Sequence, residues 1–349
     1  MTRKILVTGG SGYFGEVLVK KHLQLGDRVF ILDINKPDFH HENLSFIESD
    51  INAKDLTNKI TSQNNSVFDI IHHNVAQVPL AKDKKKFWQV NKEGTENLLK
   101  SAQELGAKKV IYVSSSAVYG IPKKNPVTEL AKPNPLEDYG MAKYQAELVC
   151  KNYIEKGLDI SIIRPRTIMG HDRLGIFSIL FEWIYKGSNI PVLNGGNNIY
   201  QFVHADDLAE ACILAGNKKG SDDFNIGASD FSSMYEVLDF LIKSSNSKSK
   251  IKSLPLKPVE MLMNLSSFLG LSPLGPYHAL MYGRSIYFDI SKAQRELGFQ
   301  PKYSNNEMFL ESYRNYVENR ELLFNPRNNK SSHKKLLNQK ILWLFSKIF

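Results

Sequence analysis

Three glycines spaced three apart, Gly9, Gly12 and Gly15, stand between a short β-rich run, Lys4–Thr8, and a segment of helical periodicity, Gly15–Leu25. A strand that turns through glycines into a helix leaves few folds open. Glycine permits the tight turn, lets the backbone approach a diphosphate, and lets the helix pack closely on the strand. The helix start then offers unpaired N–H groups and the positive end of its dipole. Glycines also make ordinary turns, so the placement between strand and helix is what points to a dinucleotide site.

The alternation continues. Arg28–Asp33, Leu44–Ser49, Asp69–His73, Lys109–Ser114 and Ile160–Arg164 read as strands, and Asp55–Thr61, Phe87–Glu104 and Tyr139–Lys156 as helices. This predicts an α/β fold with a Rossmann-type, doubly wound parallel sheet. At 349 residues the chain exceeds the usual span of one core, so a second lobe is expected. The predicted division is a cofactor-binding domain over 1–165, rejoined by a segment near 200–228, and a span over 166–324 that is mainly a smaller substrate-binding lobe. A basic linker and amphipathic tail follow over 325–349. In the second half Ile176–Lys186, Phe202–Leu214 and Ser233–Lys243 look helical, and Gly187–Asn198 is rich in turn residues.

Charge and cysteine content narrow the function. The net charge is +9, yet six of the 45 Lys and Arg and none of the 36 Asp and Glu lie beyond Phe324. The remaining body is near neutrality, which argues against a nucleic-acid partner. Cys150 and Cys212 belong to no CxxC or Cys/His cluster, and the pairs His40-His41 and His72-His73 lack metal-ligand spacing. No metal site is expected, and a reducing, cytoplasmic setting fits. The N-terminal apolar run is too short for a signal peptide, and no apolar stretch is long enough to span a membrane.

Asp33 ends the second strand 18 residues after Gly15. A carboxylate there accepts both ribose hydroxyls and repels a 2′-phosphate, which selects NAD over NADP. A strand-end turn aspartate is the plainer alternative, and Lys36 is the nearby feature that would tolerate NADP. Tyr139 and Lys143, at i and i+4, share one helix face. A nearby ammonium favours tyrosinate and makes the phenol an acid/base near neutral pH. Ser114, Ser115 and Ser116 lie at the carboxyl end of a strand, the edge of a parallel sheet where ligands bind.

Taken with these, the chain from about Lys4 to Tyr316 resembles the extended short-chain dehydrogenase/reductase family, the group of NAD-dependent epimerases and dehydratases. The likeness rests on the loop Thr8–Gly15, on Asp33, on Asp50-Ile51, and on the strand ending His73-Asn74-Val75-Ala76. It also includes Val90–Asn97, Arg164-Pro165 and Phe202–Ala209. It implies Ser115 (four before Tyr119, hence preferred to Ser116), Tyr139 and Lys143 as the catalytic set. It implies a cofactor site formed by Gly9, Gly12, Tyr13, Phe14, Gly15, Asp33, Asp50, Ile51, Val75, Ala76, Asn91, Lys143 and Pro165, with Lys143 on the nicotinamide ribose. Ser116, Arg173 and Arg284 are substrate candidates. The sugar-nucleotide members commonly carry an arginine just before the Phe202 segment; here Ile199, Tyr200 and Gln201 stand there. The 4,6-dehydratases usually carry Asp-Glu after the catalytic hydroxyl residue; Ser116-Ala117 argues against that reaction.

The resemblance thus implies an NAD-dependent enzyme acting on a substrate hydroxyl carbon, with epimerisation of a nucleotide-sugar the leading reading and a homodimer expected. A net dehydrogenase of a hydroxysteroid-like or lipid alcohol is the alternative. A nucleotide-sensing or RNA-associated protein is a third, disfavoured because a sensor needs no proton relay. In the tail, Leu336, Leu337, Ile341, Leu344, Phe345 and Ile348 recur at helical spacing among lysines. Such a segment suits a membrane interface, or else packs as an ordinary helix.

Overall fold

A computed structural model describes residues 2–63, 67–77, 84–171, 173–269 and 283–323. The predicted tail therefore lies outside the described residues. Seven parallel strands form the central sheet: β1 (Lys4–Thr8), β2 (Arg28–Asp33), β3 (Leu44–Glu48), β4 (Ile70–His73), β5 (Val110–Val113), β6 (Ile160–Pro165) and, later in the chain, β10 (Asp222–Ile226). Their order is β3-β2-β1-β4-β5-β6-β10. The reversal between β1 and β4 is the switch point at which a doubly wound sheet opens a ligand crevice.

The strands are apolar on both faces because both faces are covered. Ile5, Val7, Val29, Ile31, Ile111 and Val113 enter one core, while the alternating Leu6, Phe30, Leu32, Val110 and Tyr112 enter the other. The first face packs on α1 (Tyr13–Gln24) and α7 (Ala205–Asn217). The second packs on α2 (Leu56–Gln63), α4 (Gly94–Glu104) and α5 (Asp138–Glu155). Cys212 is buried on the first side and Cys150 on the second, so the sheet separates the two thiols.

Several elements differ from the sequence expectation. The helix predicted over Phe87–Glu104 is α3 (Lys84–Trp88), one wide turn over Gln89–Glu93, and α4. Phe202–Leu214 is not one helix. Phe202–His204 forms β9, paired with β7 (Thr167–Met169), and α7 begins only at Ala205. The His204 ring accepts the Asp206 N–H at 3.1 Å and so caps that helix start. The turn-rich stretch contains β8 (Ile190–Leu193), paired with β11 (Ile251–Leu254). β10 escapes a hydropathy pattern because Asp222, Asp223 and Asn225 occupy an edge strand.

A third core joins α6 (Phe177–Tyr185), β8, α8 (Met234–Ser244) and α11 (Asn305–Glu318) around Phe181, Trp183, Phe202, Leu241 and Phe309. This core falls within the span predicted to be mainly the second lobe. Besides the segment near 200–228, Phe288, Ile290, Ala293, Leu297 and Phe299 also return to the first core; Ala293 and Leu297 lie on α10 (Ser291–Leu297). Lys292 reinforces that return, donating to Asp223 O at 2.9 Å. α9 (Leu256–Phe268) lies between. Among the described residues no helix is long and apolar enough to cross a membrane.

Candidate active site

The glycine loop is shaped by contacts that forbid side chains. Gly9 has φ +70°, and a Cβ on Gly15 would lie 2.0 Å from the Gly9 carbonyl oxygen. At Gly12 a Cβ would meet only that oxygen, at 3.2 Å, so its outer side is open. No side-chain cap closes the start of α1, leaving its first N–H groups for an anion. Tyr13 and Phe14 turn inward, 4% and 8% exposed, and the Tyr13 hydroxyl donates to the Gly170 carbonyl.

Asp33 closes the loop from below. Its carboxylate accepts Ser11 N–H at 3.2 Å and Asn35 N–H at 2.9 Å, while burial raises its pKa above the usual carboxylate value. Asp50 is exposed and accepts Asn52 N–H at 2.8 Å. Ile51, by contrast, is 4% exposed and packed under Gly94, with Asn97 donating to its carbonyl at 2.8 Å. Val75 lies against Gly9, and its neighbour Ala76 is half-buried. Asn91 accepts Gln77 N–H at 2.8 Å and donates to Gln77 O at 3.1 Å, so its amide clamps the loop after β4. His73 bridges the Thr8 and Thr95 hydroxyls at 2.8 and 2.9 Å, and burial lowers its pKa to about 3, keeping it neutral.

The carboxyl edge of β5 gathers the hydroxyl chemistry. Glu137 caps α5 by accepting the N–H groups of Tyr139 and Gly140 at 2.8 and 2.6 Å, which fixes where Tyr139 enters the helix. Burial pushes the pKa of the Tyr139 phenol up to about 12, and the neighbouring Ser115 hydroxyl draws it the other way. Ser115 is half-buried and also accepts Ala117 N–H at 3.2 Å, whereas Ser116 is 5% exposed and faces inward. The structure therefore brings Ser115, not Ser116, to the phenol.

Lys143 is held from β5. Its ammonium, 2% exposed, donates to Val113 O at 2.8 Å and lies 4.9 Å from the centre of the Tyr112 ring. Burial lowers its pKa to about 8. The cation that opposes the rise of Tyr139 is Arg173, whose guanidinium also sits 5.5 Å from the Tyr13 ring. Arg173 thus joins the site, but at the phenol. Arg284 borders a segment tied down by Asn125, which donates to Ser285 O at 3.0 Å. Pro165 ends β6 in the interior, where it pairs with Ile226.

Two further residues were not among the sequence-predicted site residues. Arg166, next to Pro165, is buried against Tyr200, the residue standing where an arginine was expected. His204, besides capping α7, donates from Nε2 to Glu311 at 2.8 Å and stacks on Tyr303 at 3.7 Å, tying α11 to β9. With His171 and Asp206 it forms a compact His/Asp cluster whose groups bond to one another.

The residues fit NAD. The open glycine turn and uncapped helix suit a diphosphate, Asp33 suits a ribose, and both amide atoms of Asn74 are buried without a partner among the described residues. A doubly wound sheet with this turn at β1 and a Ser–Tyr–Lys set at β5 and α5 defines an NAD-dependent enzyme of the epimerase/dehydrogenase kind. The model of the NAD dependent epimerase/dehydratase family matches residues 5–227, and the chain belongs to that family.

Among its relatives is the uncharacterized protein y4nG of Sinorhizobium fredii, 51% identical over 99% of this chain and 86% of that one. A putative UDP-glucose 4-epimerase of Methanocaldococcus jannaschii is 31% identical over 68% of this chain and 81% of its own length. The crystal structure of the UDP-glucose 4-epimerase of Thermotoga maritima with UDP-glucose shares the fold. It matches with a TM-score of 0.75 and 24% identity, covering 90% of this chain and 99% of that one.

Proposed function

We propose that this chain epimerises a hydroxyl-bearing carbon of a nucleotide-sugar, with Tyr139 moving the hydroxyl proton. The carrying observation is the placement of the Ser115 hydroxyl beside the buried Tyr139 phenol at the carboxyl edge of β5. The substrate class is supported by the relatives named as UDP-glucose 4-epimerases.

In this reading Ser115 holds the substrate oxygen, Tyr139 removes its proton as the carbinol becomes a ketone, and Tyr139 returns a proton after the sugar has turned over. Bound NAD supplies a reversible hydride acceptor and a positive charge. Lys143 holds the ribose, and Arg173 draws the phenol's pKa down from the value that burial alone would set. A homodimer belongs to the same reading and is checked by sedimentation equilibrium.

The test is proton NMR of UDP-glucose and UDP-galactose incubated with the purified protein. Interconversion without accumulating NADH is expected. Stoichiometric NADH formation would instead identify a net dehydrogenase.

A further inference from the structure

Arg166 is 2% exposed, and its Nε and Nη2 atoms have no hydrogen-bond partner among the described residues. Its guanidinium carbon lies 4.6 Å from the Tyr200 ring centre and 5.4 Å from that of Phe288. Phe288 belongs to the first core and Tyr200 packs against the third, so the guanidinium sits at the seam of the two lobes. Its backbone follows directly on β6, one strand over from the edge carrying Ser115. Tyr200 is held in turn, its hydroxyl 3.0 Å from that of Thr167.

A guanidinium stays charged at any working pH and carries five donors in a planar fork. Aromatic faces satisfy its flat surface and leave the in-plane N–H groups unmet. Burying such a charge unpaired is costly, and buried charges are otherwise paired. The other arginine at this depth shows the contrast: Arg164, two residues earlier, makes a bidentate pair with Glu147 at 2.8 and 2.9 Å. Arg166 has the fork without the carboxylate.

We propose that Arg166 is a specificity-determining residue whose free fork receives a phosphate oxygen of the substrate's nucleoside diphosphate group. The inference deepens the nucleotide-sugar reading and rests on it for the identity of the anion. Tyr200 and Phe288 hold the guanidinium between them and leave Nε and Nη2 unpaired among the described residues. The unpaired charge is then a cost of the ligand-free protein that binding removes.

The test is calorimetric binding of UDP, uridine and inorganic pyrophosphate to the NAD-loaded wild type and Arg166→Met, with thermal unfolding of both. UDP and pyrophosphate should bind the variant about 10- to 100-fold more weakly, the effect of truncating one charged hydrogen-bond partner. Uridine and NAD should bind both alike, and the variant should unfold at a temperature no lower than that of wild type. Equal UDP and pyrophosphate affinities in the two proteins would overturn the inference, as would a lowered unfolding temperature with unchanged affinity, the signature of a packing role. If Arg166→Met does not fold, Arg166→Gln repeats the measurement, and wild-type affinity in it is equally fatal. Pyrophosphate binding lost with Arg166, in a protein that ignores UDP, would support the anion site and sink the nucleotide-sugar reading. Epimerisation of UDP-glucose with the same KM in both proteins would do the reverse.

Discussion

The ammonium of Lys143 donates to the main-chain carbonyl of Val113 at 2.8 Å, tying the first turns of α5 to the last residue of β5. This contact places a buried charge behind the site. Burial lowers the Lys143 pKa from 10.5 to about 8, so between those values the unfolded chain binds more protons than the folded one. Stability therefore rises with pH across that window. Relative to Lys143→Met, the ligand-free wild type should gain up to about 3 kcal/mol between pH 8 and pH 10.5, from about 1.4 kcal/mol per pKa unit. Urea unfolding at several pH values measures it, and a pH-independent difference would contradict a depressed Lys143.

Tyr139→Phe removes one hydroxyl and leaves the capped helix intact. Folding and NAD binding should survive, while turnover falls about 10²- to 10⁴-fold, the usual range for a general acid/base. In the ligand-free protein the phenol should ionise near pH 12, read as the wild-type-minus-variant ultraviolet difference. Activity should rise with pH as the phenol loses its proton. Ser115→Ala should cost less than Tyr139→Phe, and the double variant less than the product of the two effects, because the residues act together.

Asp33 has two jobs that a substitution can separate. Its carboxylate holds the glycine loop through Ser11 N–H and is predicted to hold the cofactor ribose. Asp33→Asn keeps an acceptor for Ser11 but removes the charge that repels a 2′-phosphate. It should narrow the preference for NADH over NADPH by about tenfold or more, on the scale of one charged hydrogen bond. Fluorescence titration with both cofactors decides it, and a wild type that prefers NADPH would refute the assignment.

Under the site, Arg164 is 2% exposed, makes its two bonds to Glu147, and donates to the Tyr119 hydroxyl at 2.9 Å. Arg164→Met strands the Glu147 carboxylate in the interior and should cost about 3–5 kcal/mol in urea unfolding. Adding Glu147→Leu should recover much of that loss. A single variant as stable as wild type would show that the pair carries no structural load.

The C-terminal segment is predicted from its sequence to bring the protein to anionic membrane surfaces. Truncation after Phe324 should leave NAD binding unchanged and reduce sedimentation with vesicles containing phosphatidylserine. Equal sedimentation of the two proteins would remove the membrane reading.

The parallel sheet, the phosphate turn and the pairing of Tyr139 with Lys143 on one helix face were legible in the linear order of residues. Each depends on neighbours within a few positions: a glycine at a turn, apolar residues at alternate or helical spacing, two side chains four apart. Ser115 was legible as a hydroxyl at a strand's carboxyl end, and the resemblance already preferred it to Ser116 by its spacing to Tyr119; the structure adds that Ser116 is buried while Ser115 lies beside the phenol. The return of Phe288–Phe299 to the first core, the polar edge strand Asp222–Ile226 and the inward rotation of Tyr13 and Phe14 depend on partners more than a hundred residues away or on a neighbouring element. The charge that Arg173 brings to Tyr139 was not legible for the same reason: electrostatic effect follows distance and burial in space, and sequence spacing reports neither. Arg166 is the extreme case, an arginine unmarked in the sequence that becomes informative only in the folded chain, buried with Nε and Nη2 unpaired among the described residues.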